Sequence, residues 1–194
     1  MQFEILKFES VTSTNDVAIN LIKEKKKETG CIYAGTQTKG RGTQGKKWVS
    51  EMGNLFGSIF FPLKNNYPSF SEFSMINPVI ISEVIKKFCR EKKISFKWPN
   101  DVFVDGRKIC GILQELITSN DKKFLIIGIG INIISNPNIN TSYEATNIFL
   151  ESKKKLTTKE IISPLILSYE NFFYELDTYD FSNFKTKAES MSVK

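Results

Sequence analysis

Apolar and polar positions alternate over residues 2–8, as in a strand with one face buried. Val17, Ile19, Leu21 and Ile22 then serve as the apolar positions of a helix. Ser13 or Thr14 can cap that helix, which is expected to run to about Glu28. Gly30 should end it, because glycine readily takes the conformation that terminates a helix. Apolar runs near 31–37 and 54–62 read as strands. Met75, Ile76, Val79, Ile80, Val84, Ile85 and Phe88 mark a helix over 72–91, and Pro78 implies a kink or a start one turn later. Strand-like segments follow at 94–97, 101–104, 107–117 and 123–134, with a hairpin signal at Asp105-Gly106. A helix near 158–176 closes the domain. Hairpin-linked strands with helices set between them predict an α+β fold. The expected sheet is mixed and mostly antiparallel, with helices packed on one face.

Composition narrows the chemistry. The 194 residues suit one domain, and 41% hydrophobic content supplies a substantial core. Cys31, Cys89 and Cys110 are scattered through apolar segments without a CxxC, which fits a reducing compartment. No signal-peptide pattern opens the chain, and no apolar run approaches a membrane span. A cytoplasmic location is therefore expected, with the sequon Asn140-Thr-Ser unused. The chain has no histidine, so a Ser-His-Asp triad is impossible and a typical zinc site is disfavoured. Any catalysis must rest on Lys, Arg, Asp, Asn and backbone amides, or borrow a nucleophile from a substrate. The net charge of +6 is dispersed, with one run at Lys25-Lys26-Lys27. No basic stripe interleaved with aromatics points to nucleic acid.

Four segments carry candidate chemistry. Residues 40–48 read Gly-Arg-Gly-Thr-Gln-Gly-Lys-Lys-Trp, a glycine-rich loop with three cations, suited to holding a carboxylate or phosphate. Gly40, Gly42 and Gly45 also fit G-x-G-x-x-G. A dinucleotide fingerprint needs a helix directly afterwards, whereas the strand-like run Leu55–Phe61 comes next. A solvated basic hairpin is the plain alternative. Lys97-Trp98-Pro99-Asn100-Asp101 ends a strand and presents two polar side chains, as an ordinary Pro-Asn-Asp turn also would. Lys108 interrupts an apolar strand, and the Asp105-Gly106 turn brings it near Asp101, so a carboxylate for Mg²⁺ and a lysine for an anion could share one site. Gly128-Ile-Gly-Ile-Asn132 lines a strand with small residues and ends in an amide.

The ordered series resembles the biotin–protein ligase family, the biotin–[acetyl-CoA-carboxylase] ligases, over about residues 5–175. It comprises Ser13-Thr14-Asn15, Gln37, the 40–48 loop, Asn54-Leu55, the 97–101 motif, Lys108 with Gly111, and the 128–132 motif. The resemblance implies a seven-stranded α+β core of the class II synthetase-like kind, shared with lipoate ligases. It implies ATP-dependent activation of biotin as biotinyl-5'-AMP, with Mg²⁺, and transfer to a lysine of a biotin carboxyl carrier protein. By position, Ser13, Thr14, Asn15, Gln37, Gly40, Arg41, Gly42, Thr43, Lys108 and Gly111 would bind biotin. Arg41, Lys46, Trp48, Lys97, Asn100, Asp101, Lys108 and Asn132 would bind ATP. Lys108, Arg41 and Asp101 would be catalytic, and the 40–48 loop would act as a lid.

The chain departs from the family's Gly-Arg-Gly-Arg-x-Gly-Arg loop at Thr43 and Lys46. Thr43 removes a cation and Lys46 lacks the bidentate fork, so retention of the adenylate is expected to weaken. The sequence opens on the expected catalytic domain, so the helix-turn-helix that makes some relatives repressors, and with it repressor activity, is not expected. Residues 1–177 form the expected domain. The tail 178–194 is too short for the small SH3-type barrel of relatives, and is expected to be a vestige or truncation of it. A homodimer through a sheet edge is an arrangement the family allows. Two alternatives stay open: a lipoate or octanoate ligase or transferase of the same fold, and a non-catalytic biotin- or nucleotide-binding module.

Overall fold

The structure, a computed structural model, describes residues 1–137 and 143–192; the sequon at Asn140 lies outside them. Its strands are β1 (Ile5–Val11), β2 (Gly30–Gln37), β3 (Leu55–Pro62), β4 (Ile94–Lys97), β5 (Asp101–Val104), β6 (Arg107–Ser119) and β7 (Lys122–Ile131). They form one seven-stranded sheet in the order β1-β2-β3-β7-β6-β5-β4. β1 and β2 are parallel; every other neighbouring pair is antiparallel. The helices are α1 (Thr14–Lys23), α2 (Phe70–Phe88), α3 (Ile148–Ser152), α4 (Thr158–Tyr174) and α5 (Phe181–Met191).

Side-chain alternation divides the core in two. Cys31, Ile59, Phe61, Leu125, Ile127 and Ile129 face one way and pack with apolar residues of α2 and α4. Ile32, Phe60, Phe124 and Ile126 face the other way, against Ala18 and Ile22 of α1. Helices therefore cover both faces, contrary to the one-face expectation. β3 and the 124–131 part of β7 are buried at nearly every position because both faces of the sheet are covered there.

Three boundaries also move. β1 starts three residues later than its alternation implied, because its pairing with β2 continues to Val11↔Gln37. α1 stops at Lys23, and Gly30 lies inside β2, packed against the Phe60 ring rather than capping a helix. α2 begins at Phe70, fixed by a capping box in which Ser69 and Glu72 satisfy each other's backbone donors, and Pro78 sits within it. The Asp105-Gly106 turn is present, with both residues at positive φ (47° and 79°), as a primed hairpin turn requires. α3 and α5 were not legible in the periodicity. α5 packs on α2, with Phe184 against Phe172 and Tyr179. Among the described residues, no helix is long and apolar enough to cross a membrane.

Candidate active site

On the α1 face, the apolar side chains of β7 give way to glycine at 128 and 130. Space opens there, and two side chains enter it. A Cβ on Gly128 would collide with the Asn15 amide, and one on Gly130 or on Gly111 would collide with the Trp48 indole. These glycines serve close approach by other groups. A cavity of about 410 Å³ results. One end is lined by Ser13, Thr14, Asn15 and Gln37, the other by Lys46, Asn100, Asp101, Lys108 and Asn132, with Arg41 and Trp48 from the 40–48 loop.

The hydroxyl and amide end is a closed hydrogen-bond network at the start of α1. The Thr14 backbone N–H donates to Gln37 Oε1 at 2.8 Å. Ser58, buried on β3, donates to Asn15 Oδ1 (2.5 Å), and its Oγ lies 2.7 Å from Thr14 Oγ1. Asn15 Nδ2 donates in turn to Leu113 O (3.3 Å) and Glu115 Oε2 (2.7 Å). Such a network fixes which way each amide points.

At the cationic end, Lys108 Nζ lies 2.7 Å from Asp101 Oδ1 and donates to the Tyr143 hydroxyl at 3.1 Å. The ammonium also stands over the rings of Trp48 (5.5 Å) and Tyr143 (5.0 Å). A β-bulge produces this placement. Asp101 pairs with Gly111 and Phe103 with Lys108, so β6 carries an extra residue between them. Without it, strict alternation would set Lys108 and Gly111 on opposite faces. With it, both line the cavity. Asn132 turns its Nδ2 to Thr146 O at 3.0 Å, beside the same wall.

The 40–48 loop is a small hairpin laid over the opening. Gly42 N–H donates to Lys46 O and Trp48 N–H to Gly40 O. A 3-10 turn at Thr43–Gly45 makes the bend, and the Thr43 hydroxyl accepts from Asn100 Nδ2 at 3.3 Å. Arg41 is not free. Its Nη1 and Nη2 donate to the two oxygens of Glu115, each at 2.8 Å, and Asp16 lies 2.8 Å from Nη2. Hydrogen bonding to Glu115, ahead of the charges of Glu115 and Asp16, holds the guanidinium protonated more firmly than usual, against the opposing effect of burial. Arg41 Nε and Trp48 Nε1 are buried without a hydrogen-bond partner among the described residues.

Most expected site residues thus converge on one cavity: Ser13, Thr14, Asn15, Gln37, Arg41, Gly42, Thr43, Lys46, Trp48, Asn100, Asp101, Lys108, Gly111 and Asn132. Two do not reach its wall. Lys97 is exposed at the end of the edge strand β4, beyond Asp101, with which it pairs. Gly40 is buried behind Trp48 O and contributes through its own carbonyl. Ser58, Glu115, Asp16 and Tyr143 went unnoticed. Ser58 and Glu115 carry the signal that revealed Lys108, a polar residue inside an apolar strand. The thiols offer no nucleophile: burial pushes Cys31 up to about 12 and Cys89 up to about 11, and raises Cys110 as well. Among the described residues, no group of His, Cys, Asp or Glu could hold a metal ion by itself.

A family model described as the biotin/lipoate A/B protein ligase family matches residues 7–132, more than half of the chain. The chain belongs to that family. It is 37% identical over 125 residues to the bifunctional ligase/repressor BirA of Escherichia coli, covering 63% of this chain and 38% of that one. Its fold matches the Aquifex aeolicus biotin protein ligase in complex with biotin and ATP, with TM-score 0.79 and 29% identity over 98% of this chain and 78% of that one. The Leishmania major biotin protein ligase in complex with biotinyl-5-AMP matches with TM-score 0.79 and 26% identity, over 98% and 81% of the two chains. The chain spans less than two thirds of the length of the curated relatives it matches first.

Proposed function

We propose that this chain is an ATP-dependent ligase of the reducing cytoplasm, which activates biotin as biotinyl-5'-AMP and transfers it to a lysine of a biotin carboxyl carrier protein. One observation carries the reading. A single cavity joins a fixed hydroxyl and amide end, able to bind a neutral polar ring, to an Asp101–Lys108 pair able to meet an anion.

A carboxylate and a triphosphate repel one another. Lys108 and Arg41 would lower that repulsion and stabilise charge growing at phosphorus. The biotin carboxylate would attack the α-phosphorus, pyrophosphate would leave, and a mixed anhydride would form. The amine of the acceptor lysine would then attack its carbonyl carbon, lose a proton and release AMP. Neither step needs a histidine or a thiol of this chain. Mg²⁺ is usually held by one or two carboxylates together with substrate phosphates. Asp101 on the cavity wall fits that donor set, and the ion would neutralise triphosphate charge there. Thr43 and the rest of the loop would screen the anhydride from water.

Pyrophosphate release measured separately with biotin, lipoate and octanoate tests the proposal. Release with biotin, followed by labelling of a biotin carboxyl carrier domain, is expected. Release only with lipoate or octanoate would assign the other branch of the family. Binding of biotin without release would make the chain a non-catalytic module.

A further inference from the structure

Glu115 does not line the cavity, yet it holds two residues that do. Arg41 places both terminal nitrogens on it, and Asn15 Nδ2 shares its Oε2. The three residues come from β6, from the loop after β2 and from the first turn of α1, segments that no local rule brings together. The Asn15 amide has its orientation decided by this contact: Nδ2 faces Glu115 and Leu113 O, so Oδ1 accepts from Ser58. Arg41 is fastened at the near end of the loop while Trp48, packed where Gly111 and Gly130 leave room, anchors the far end.

We propose that Glu115 is a positioning residue, one carboxylate that sets the Asn15 amide and ties the Arg41 loop down over the cavity. An isolated pair with side chains 36% and 24% exposed would contribute little. Here the pair is bidentate, and the same carboxylate takes a third donor, so its effect is on geometry. A glutamine at 115 would turn an NH₂ group toward these donors and break at least one contact. Where the NH₂ takes the Oε2 place, Asp16 would remain to hold Arg41, and only Leu113 O would remain to hold Asn15 Nδ2. The proposal rests on the biotin reading only for the ligand used in its second measurement.

The test compares trypsin digestion of the ligand-free chain, whose loop offers Lys39, Arg41, Lys46 and Lys47, in wild type and Glu115→Gln. Biotin KM and kcat are measured in parallel. The variant is expected to be cut within 39–47 at least about threefold faster, with other sites unchanged. Its biotin KM should rise about tenfold, with a smaller change in kcat. Glu115→Asp, which keeps the carboxylate on a shorter arm, should recover part of the protection. Wild-type cleavage and wild-type KM in Glu115→Gln would overturn the proposal. If that variant is digested throughout, Glu115→Asp is read by itself: loop cleavage faster than wild type with a raised biotin KM then supports the proposal, and wild-type cleavage with wild-type KM overturns it. A wild type inactive with biotin would defeat the ligase reading, while the ligand-free digestion would still judge Glu115.

Discussion

Lys108 Nζ stands 2.7 Å from Asp101 Oδ1 across a strand pair whose register slips between them. Both side chains are mostly enclosed, 13% and 15% exposed. Removing one partner would strand the other's charge in a poorly solvated place. An arriving anion can take over Lys108 if a cation takes over Asp101, so under the proposed function the pair would exchange partners with ATP and Mg²⁺.

Lys108→Ala is accordingly expected to cut biotin-dependent pyrophosphate release about 100-fold or more, the loss of one charge-assisted transition-state contact. The far-ultraviolet circular dichroism should stay native, because the lysine packs on rings at the cavity rather than in the core. Near-normal release by the variant would remove Lys108 from the chemistry.

Gly128→Ala should weaken biotin binding about tenfold or more, because the new methyl must displace the Asn15 amide from its network. Calorimetric titration with biotin measures this, and ATP binding alone should change less. Unaltered biotin affinity would show that the orientation of Asn15 does not matter to the ligand.

Thr43 meets Asn100 through one 3.3 Å hydrogen bond, which is a weak side-chain tether for that part of the loop. An arginine there would offer a bidentate fork beside Asp101. Thr43→Arg is therefore expected to reduce labelling of an unrelated lysine-rich protein in biotin and ATP, because the activated intermediate escapes less often. Equal bystander labelling by both proteins would place retention elsewhere, with Lys46 or Trp48.

Glu72 gives a pH signature far from the site. The Ser69 backbone N–H, ahead of the Ser69 hydroxyl and Tyr179, holds its carboxyl below the usual range. The ionised form is therefore the one the fold favours. Its stabilising effect is complete above the unfolded value of about 4.3 and is lost as pH falls through the lower folded value. Glu72→Gln should melt at a less pH-dependent temperature than wild type between about pH 5 and pH 3. Parallel melting curves for the two proteins would exclude the contribution.

Much of the architecture was legible because its signals are local. Leu55–Phe61 is apolar at almost every position, as a strand buried on both faces must be, and Asp105-Gly106 supplies the positive φ angles of its turn. Other features answer to distant partners. Gly30 resembles a helix cap, yet the Phe60 ring across β2–β3 explains it better. The edge strand β1 shows a weak burial pattern, so its ends followed the pairing with β2 rather than its own alternation. α5 has few core-facing residues of its own, and its place is set by α2 and the Phe172 cluster.

The site divides in the same way. Residue types alone determined that any chemistry of this chain must do without histidine, and they marked Arg41, Asp101 and Lys108 as candidates, one of them on a glycine-rich loop. Tertiary structure decided how they face each other. Only the β6 bulge puts Lys108 on the same face as Gly111, and only sheet order brings Glu115 beneath both Asn15 and Arg41. The reason is physical. Propensity, charge and turn chemistry act between neighbours along the chain. A strand's facing after a bulge, or a carboxylate's choice of partner, is fixed by groups that folding brings together from far along the chain, as Asn15 and Glu115 are from 100 residues apart.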